Sequence, residues 1–379
     1  MKVLVLSTDF PPSVGGIGTF AWRLGMALEK VGALVRVITT VSCPGPEPVP
    51  ELAVSRVPEK WSNRYLKALP LLILTVLWVR RERAGLVVAM VWTHEGVVAY
   101  LVRKALRVRY VVVTHGSEIL SHVANPLMRQ VMVRILKGAD AVMANSRFTQ
   151  DLVLELGIDP DRVVVVNPPL PLPESEVGAP RPSCDEVFAL GGKRVMFTAA
   201  RLVRRKGHTA VIRALGELKQ RYPDLVYVMT GEGEYKQELS ELACSCDVRD
   251  QVRMIGFVSS EHLRQLYSRA DLYICPAEQD GGDVEGFGIA LAEAAAFGKP
   301  VIAGRSGGVP EVVVDGVTGF IIDPSNLEEI KQRIVTLLDD SNLRHQMGAA
   351  GRALVGSGFG LQAQADKLRR LLWPVDAAR

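Results

Sequence analysis

The sequence predicts an α/β protein built from two doubly wound domains. Three observations carry that reading. Short Val/Leu/Ile runs end in turn residues, helix-length segments separate them, and the alternation breaks once, near the middle of the chain. The 379 residues exceed one ordinary domain and suit two of middling size. A composition 48% hydrophobic and 23% charged is that of a globular protein with a large core.

Lys2–Ser7 reads as the first buried parallel strand. The loop Thr8–Gly18 follows, with Pro11, Pro12, Gly15 and Gly16. It leads to a helix that places Phe20, Leu24, Ala27 and Leu28 on one face and ends near Gly32. Leu34–Thr39, Val87–Met90, Tyr110–Thr114, Ala141–Ala144 and Val163–Val166 repeat the strand pattern, which sets an N-terminal domain at residues 1–170. Asn167–Glu186 holds six prolines and reads as a linker. Strands resume at Arg194–Thr198, Val226–Thr230, Val252–Ile255, Leu272–Cys275, Pro300–Ala303 and Gly319–Ile322, giving a second domain at 187–356. Leu361–Trp373 is a final helix in a segment, 357–379, expected to pack back toward the first domain. Open parallel sheets bind ligands outside the carboxyl ends of their strands, so the loops after strands, facing a cleft, are the informative ones.

The formal net charge of +4 gives no global field for nucleic acid, and no nucleic-acid partner is expected. The charge is uneven. Residues 1–170 hold 20 Lys/Arg against 13 Asp/Glu, while the remainder holds 25 against 28. A basic first half suits either an acidic or membrane-surface partner or an ordinary solvated face. Five cysteines, Cys43, Cys184, Cys244, Cys246 and Cys275, have no zinc spacing and predict a reduced cytoplasmic protein without structural disulfides. The N-terminus reads as a buried strand, not a signal peptide. The longest apolar run, Ala68–Val79, is interrupted by Pro70 and Thr75, and is about half the length that spans a bilayer.

The densest signal is Cys275-Pro-Ala-Glu-Gln-Asp-Gly-Gly-Asp-Val-Glu-Gly-Phe-Gly-Ile-Ala-Leu-Ala-Glu293. A strand ends, a glycine-rich loop follows, and a helix is expected from near Phe287, with Glu285 at its mouth and Glu293 two turns along the same face. Gly286 and Gly288 allow close backbone approach. The amides of Phe287, Gly288 and Ile289 suit an anion such as a pyrophosphate. A carboxylate accepts two hydroxyl hydrogen bonds, which a sugar or ribose diol offers. The bland alternative is a capped amphipathic helix with two surface glutamates; the glycines between them weigh against it.

A second signal follows the Arg194–Thr198 strand. In Ala199-Ala-Arg-Leu-Val-Arg-Arg-Lys-Gly207, Arg201 and Lys206 suit phosphate, one as a fork and one as a point charge. Arg204 and Arg205 fit a solvated basic turn. Gly15-Gly16-Ile17 opens the first helix, where two glycines suit either a phosphate or a plain tight turn. The G-x-G-x-x-G spacing is absent, which disfavours a nicotinamide oxidoreductase. Thr114-His115-Gly116-Ser117-Glu118 puts His115 at a strand's carboxyl end, where it orients a hydroxyl or is a satisfied core histidine. The other histidines show no metal-ligand spacing and no Asp-x-Asp occurs, so no metal and no cofactor are expected.

These four motifs, in this order, resemble the retaining glycosyltransferase family 4 of GT-B fold, from Met1 to about Gly319. Asp9-Phe-Pro-Pro-Ser-Val-Gly-Gly-Ile17, Ala200-Arg-Leu-Val-Arg-Arg-Lys-Gly207 and Gly282-Asp-Val-Glu-Gly-Phe-Gly288 look most like the phosphatidylinositol mannoside mannosyltransferases and their relatives. The resemblance implies two Rossmann-like domains and a nucleotide-diphosphate-sugar donor, GDP-mannose first and a UDP-sugar second. Arg201 and Lys206 would hold the diphosphate, Gly15 and Gly16 would approach it, and Glu293 would take the ribose. Glu285, Gly286 and the Phe287, Gly288 and Ile289 amides would hold the sugar, with His115 beside it. Phe257 and Val258, in the turn after Gly256, would meet the base. Members usually need no metal. Same-face attack, assisted by the leaving phosphate, is the family's mechanism. Asn167-Pro-Pro departs from the usual Asn-Gly-Val or Asn-Pro-Val-Asp and leaves the hinge conformation open. The competing functions are a GT-B epimerase or phosphorylase, or a non-catalytic nucleotide-sugar-binding protein.

The acceptor is expected to be lipid-linked or a glycan, with the first domain docked peripherally on the inner face of an anionic membrane. Trp61, Arg64, Tyr65 and Lys67 lead into Leu66–Val79, which Trp78, Arg80, Arg81 and Arg83 close; Arg103, Lys104, Arg107 and Arg109 add a second basic cluster. The alternative is that Leu66–Val79 is a buried helix with a basic end.

Overall fold

A computed structural model describes residues 1–13, 15–40, 52–57, 68–173 and 183–372. It contains two compact units, one formed by 1–171, 281–287 and 359–379, the other by 172–280 and 288–358.

The first unit runs β1 (Lys2–Leu6), α1 (Gly16–Lys30), β2 (Leu34–Thr40), β3 (Ala53–Val57), α2 (Ala68–Glu82), β4 (Leu86–Ala89) and α3 (His94–Leu106). It continues with β5 (Arg109–Thr114), α4 (Ser117–Val123), α5 (Pro126–Gly138), β6 (Ala141–Ala144), α6 (Arg147–Glu155) and β7 (Val163–Val165). All neighbouring strands pair in parallel, in the order β3-β2-β1-β4-β5-β6-β7. β4 and β6 are buried along their whole length, as a sheet covered on both faces requires. β3 lies outside the expected strand set. Its sequence, AVSRV, is broken by the adjacent polar residues Ser55 and Arg56 and is partly exposed, as an edge strand is, so it lacks the continuous apolar run of the others.

The second unit runs α7 (Cys184–Val187), β8 (Arg194–Ala199), α8 (His208–Leu218), β9 (Leu225–Thr230), α9 (Lys236–Ser245), β10 (Val252–Met254) and α10 (Ser260–Arg269). Then come β11 (Leu272–Cys275), α11 (Ile289–Ala296), β12 (Val301–Gly304), α12 (Val309–Val312), β13 (Gly319–Ile322), α13 (Leu327–Asp339) and α14 (Ser341–Gly358). Its six parallel strands take the order β10-β9-β8-β11-β12-β13. In both sheets the order reverses beside the first strand, the switch point at which such folds place ligands. Each sheet has its own core: Leu4, Val87, Tyr110 and Ile135 belong to one, Met196, Leu215, Tyr227 and Ile334 to the other.

α15 (Leu361–Leu372) belongs to the first unit and packs on α1. Gln364, fully buried, accepts from the Asn167 N–H at 3.1 Å, and the Lys367 ammonium donates to Asn167 Oδ1 at 3.2 Å.

Two sequence expectations need correction. The second domain does not run unbroken from 187 to 356, because 281–287 groups with the first unit. Ser117 is the reason: its hydroxyl lies 3.2 Å from Asp283 Oδ1 and 3.1 Å from the Val284 carbonyl, and accepts from the Val284 N–H at 3.1 Å. The linker does not reach Glu186, because Ser183 and Glu186 form a reciprocal capping box that starts α7. Residues 174–182 of that linker, Cys43 and the approach Trp61–Lys67 lie outside the described residues. Cys184, Cys244 and Cys246 are free thiols, and the buried Cys275 thiol lies 3.7 Å from the Lys206 carbonyl.

Candidate active site

In the first unit, the loops after β1, β4, β5 and β6 emerge at one edge of the sheet. His115 follows β5 directly. Its Nε2 lies 2.6 Å from the Met90 carbonyl, which can only accept, so Nε2 is the donor in that bond. Phe20 packs edge-on against the ring at 5.8 Å, and the His115 N–H donates to Glu118 Oε1 at 2.7 Å. Gly116 turns the chain at φ 95° into α4, a conformation that favours glycine. His115 is half-buried rather than a sealed core residue.

Glu285, Gly286 and Phe287 belong to this same unit. A β-carbon on Gly286 would overlap the His115 carbonyl oxygen and stand 3.0 Å from Asn145 Nδ2. The structure therefore brings His115 and the Glu285 loop together. Phe287 is buried and meets Phe359 edge-on at 5.1 Å. Gly15 caps α1, where a β-carbon would overlap the Asp9 carboxylate, whereas Gly16 has open space around its missing side chain.

Sequence reasoning missed Glu95 and Asn145. Glu95 is 1% exposed at the start of α3, and its Oε1 accepts from both the Thr8 N–H and hydroxyl at 2.7 Å. Oε2 has no hydrogen-bond partner among the described residues, and burial pushes the carboxyl above its usual range. Glu95 thus pins the root of the Gly15–Gly16 loop. Its sequence signal was one acid in an apolar helix.

In the second unit, the post-strand loops lie on one another. Leu202 N–H donates to the Glu232 carbonyl at 3.1 Å, Gly231 N–H to Gly256 O at 2.9 Å, and Glu278 N–H to Arg205 O at 2.9 Å. Gly207, at φ 72°, leaves no room for a β-carbon beside the Pro276 carbonyl. These contacts set Arg201, exposed, and Lys206, half-buried, on one braced loop. His208 holds its root. Nε2 donates to the Arg201 carbonyl at 3.2 Å and Nδ1 faces the Tyr227 hydroxyl at 2.8 Å, while burial pushes the imidazole down to about 4. Arg204 is exposed as expected. Arg205 is not a solvated residue; it is 7% exposed, because the turn folds it in against the β11 exit loop. Phe257 is 51% exposed beside Val258, and Gly256 turns under Glu232 at φ 69°.

The helix after the glycine loop starts at Ile289, not near Phe287, because Gly288 caps it in the left-handed region at φ 88°. Glu285 therefore lies in the loop ahead of the helix, and Glu293 about one turn into it. The two acids do not share a helix face. The helix-end amides begin at Ile289, and Ala292 is the first to bond back, to Gly288 O at 3.0 Å. Glu293 Oε2 accepts from the Tyr267 hydroxyl at 2.8 Å. Among the described residues no group of three or more His, Cys, Asp or Glu is arranged to hold a metal ion.

Two parallel-sheet α/β units of this topology define a GT-B fold. The chain belongs to the glycosyl transferases of group 1: residues 185–354 match the family "Glycosyl transferases group 1", and 15–169 match "Glycosyl transferase 4-like domain". It is a glycosyltransferase. It is 32% identical to a GDP-mannose-dependent alpha-(1-6)-phosphatidylinositol monomannoside mannosyltransferase of Mycolicibacterium smegmatis, over 98% of each chain. It is 31% identical to the protein of the same name from Mycobacterium tuberculosis, over 100% of each. The fold matches Anabaena Alr3699/HepE in complex with UDP and glucose at a TM-score of 0.80, with 20% identity over 98% of this chain and 99% of that one.

Proposed function

We propose that this enzyme transfers mannose from GDP-mannose, with retention and without a metal, to a lipid-borne mannoside acceptor. The observation that carries the donor and acceptor is the full-length identity to relatives named for GDP-mannose and phosphatidylinositol monomannoside. Arg201 and Lys206 neutralise the charge that grows on the departing diphosphate, the work a divalent ion does elsewhere. The Ile289 end of α11 adds its amide dipoles. Glu293 takes the ribose diol and Glu285 the mannose hydroxyls. Phe257 and Val258 meet the base, and Gly15 and Gly16 admit the diphosphate. His115 offers Nδ1 to a sugar hydroxyl. The acceptor oxygen attacks on the face the diphosphate leaves, and a phosphate oxygen takes its proton.

A lipid acceptor needs a membrane-facing surface. α2 buries Leu71, Thr75 and Val79 and exposes Leu69, Ile73 and Leu77, two stripes each spaced by four. Leu101 of α3, against which α2 packs, is also exposed. Arg80, Arg81 and Arg83 close the helix. So α2 is at once a core helix and an apolar surface, and peripheral docking on an anionic leaflet is the reading its outer face supports. No helix among the described residues is long and apolar enough to cross a membrane. The second basic cluster is less free than its sequence suggests. Arg103 pairs with Asp140 at 2.9 Å and Arg109 approaches the same acid at 4.0 Å. Trp78 lies under Arg36 at 3.9 Å and Arg81 at 5.3 Å, which spends its ring on cations rather than on lipid.

The test offers purified enzyme GDP-mannose, UDP-glucose and UDP-galactose with vesicles carrying phosphatidylinositol monomannoside, with and without EDTA. Expected is an α-linked mannosyl product from GDP-mannose alone, formed equally in EDTA, with nucleotide release that depends on acceptor. Acceptor-independent release would instead indicate an epimerase or hydrolase, and loss in EDTA restored by Mg2+ would overturn metal independence.

A further inference from the structure

The first unit has a cavity of about 670 Å3 between α3, α5 and the end of α6. Four cations line it: Lys104 of α3, and Arg129, Arg134 and Lys137 of α5. Among the described residues no carboxylate does. Lys104, Lys137 and Leu156 stand at the helix ends that lead into β5, β6 and β7. Those ends lie at the amino edge of the sheet, away from the edge that carries His115.

The surrounding cations are neutralised locally. Arg103 and Arg109 share Asp140, and Arg162 lies 3.9 Å from Asp159. Lys104, Arg129, Arg134 and Lys137 form no ion pair among the described residues. Lys104 and Lys137, in the last turns of their helices, are what the helix dipole favours, and an ordinary solvated helix would carry them. Arg129 is different. It stands in the first turn of α5, which has no acid, so its charge opposes the dipole. Arg134 and Lys137, three apart, also repel each other along one face. The fold therefore holds together like charges that local helix energetics would separate.

Like charges converging on a recess focus a positive potential there, which a compact polyanion relieves. Guanidinium forks and ammonium point charges are the donors that suit phosphate. Arg129 and Lys137 are about 12 Å apart along the helix, more than one phosphate spans. The cavity also presents the Tyr100 phenol and the Gln130 amide, which can donate to phosphate oxygens. Gly138 admits the Tyr100 ring, whose carbons lie 3.2 Å from where a β-carbon would stand. A bilayer is flat and meets crests, such as Leu69, Ile73 and Leu77 of α2. These cations line a hollow instead, which favours a small ligand.

We propose that this cavity is a second anion site, separate from the donor loop of Arg201 and Lys206, that binds a soluble molecule carrying several linked phosphates. Arg129, Arg134 and Lys137 hold it from α5, and Lys104 closes on it from α3.

The experiment titrates tripolyphosphate into the full chain by calorimetry. It compares wild type, Arg134→Gln with Lys137→Gln, and Arg201→Ala with Lys206→Ala. The last variant removes the donor-loop cations, so anion binding there is counted separately. Expected is a site that survives in the donor-loop variant, weakens about tenfold or more in the cavity variant, and weakens with added salt. Tripolyphosphate should also slow acetylation of Lys104 and Lys137, read by mass spectrometry. Unfolding midpoints check that the cavity variant folds, and Arg129→Gln is a milder second variant. Equal affinity in wild type and both cavity variants, or binding lost only with Arg201 and Lys206, would overturn the site. So would a wild type that binds no tripolyphosphate while its recovery on anionic vesicles depends on Arg134 and Lys137; the cavity would then be part of a membrane surface. Glycosyl transfer is not the readout, so failure of the mannose-donor reading would leave this result standing.

Discussion

The carbonyl oxygen of His115 lies so close to Gly286 that no β-carbon fits between them. A glycine is therefore required at 286 by contact, not by backbone strain. Gly286→Ala should push the Glu285 loop away from His115 by a few tenths of an ångström or more. Misplacement on the ångström scale costs about a hundredfold in rate. The expected outcome is a fall in kcat of that order with the unfolding midpoint little changed. Wild-type turnover in Gly286→Ala would mean that the His115–Gly286 contact is not part of the working site.

The two glutamates should separate kinetically. Glu293, held by the Tyr267 hydroxyl at 2.8 Å, sits on α11, and in the proposed function it takes the ribose, a part of the donor that does not change during reaction. Glu293→Gln should mainly raise the donor KM, and Tyr267→Phe should do the same more weakly. Glu285→Gln should mainly lower kcat, because the sugar ring is what changes in the transition state. Steady-state kinetics with varied donor check both, and the reverse pattern would exchange their roles.

His208 predicts an acid sensitivity. Its imidazole is buried and pushed down to about 4 from an ordinary 6.5, so the unfolded chain takes up a proton at a pH where the folded protein refuses it. The stability that comes from keeping it neutral is complete above pH 6.5 and is lost as pH falls toward 4. The window corresponds to roughly 3 kcal/mol. His208→Gln should lower stability at pH 7, by loosening the Arg201 loop, yet flatten the slope of stability between pH 6.5 and 4. Urea titrations across that range measure it. An unchanged slope would show that another group carries the acid response.

The outer face of α2 predicts membrane binding that depends on both apolar and basic groups. Flotation with anionic vesicles should recover the wild type and lose it progressively with salt. Charge reversal at Arg80, Arg81 and Arg83 should weaken recovery, as should Leu69→Ser with Leu77→Ser. Neither change should alter activity on a short-chain soluble acceptor. Equal, negligible recovery on neutral and anionic vesicles at low salt would remove the docking surface and favour a soluble acceptor.

Chain order was legible because buried parallel strands write themselves as unbroken apolar runs. Leu272–Cys275 and Ala141–Ala144 have the same bounds in the sequence reading and in the structure. The Arg201, Lys206, Glu285 and Glu293 signals were legible because glycines beside charged residues after a strand are local features. β3 escaped because an edge strand is half polar, and α7 because its capping box hides behind a proline-rich stretch. What the sequence by itself determined was the repeated strand–helix order and the residue types at each loop. Tertiary structure alone decided that Gly281–Phe287 belongs with the first unit, that Arg205 is buried while Arg201 is not, and that Glu95, Asn145 and His208 sit beneath the loops. Those facts depend on hydrogen bonds such as Glu95 to Thr8, 87 positions apart, and Ser117 to Val284, 167 apart. No local period records a pairing at such separations. It exists only once closing the chain has brought the two carboxyl-edge loops together.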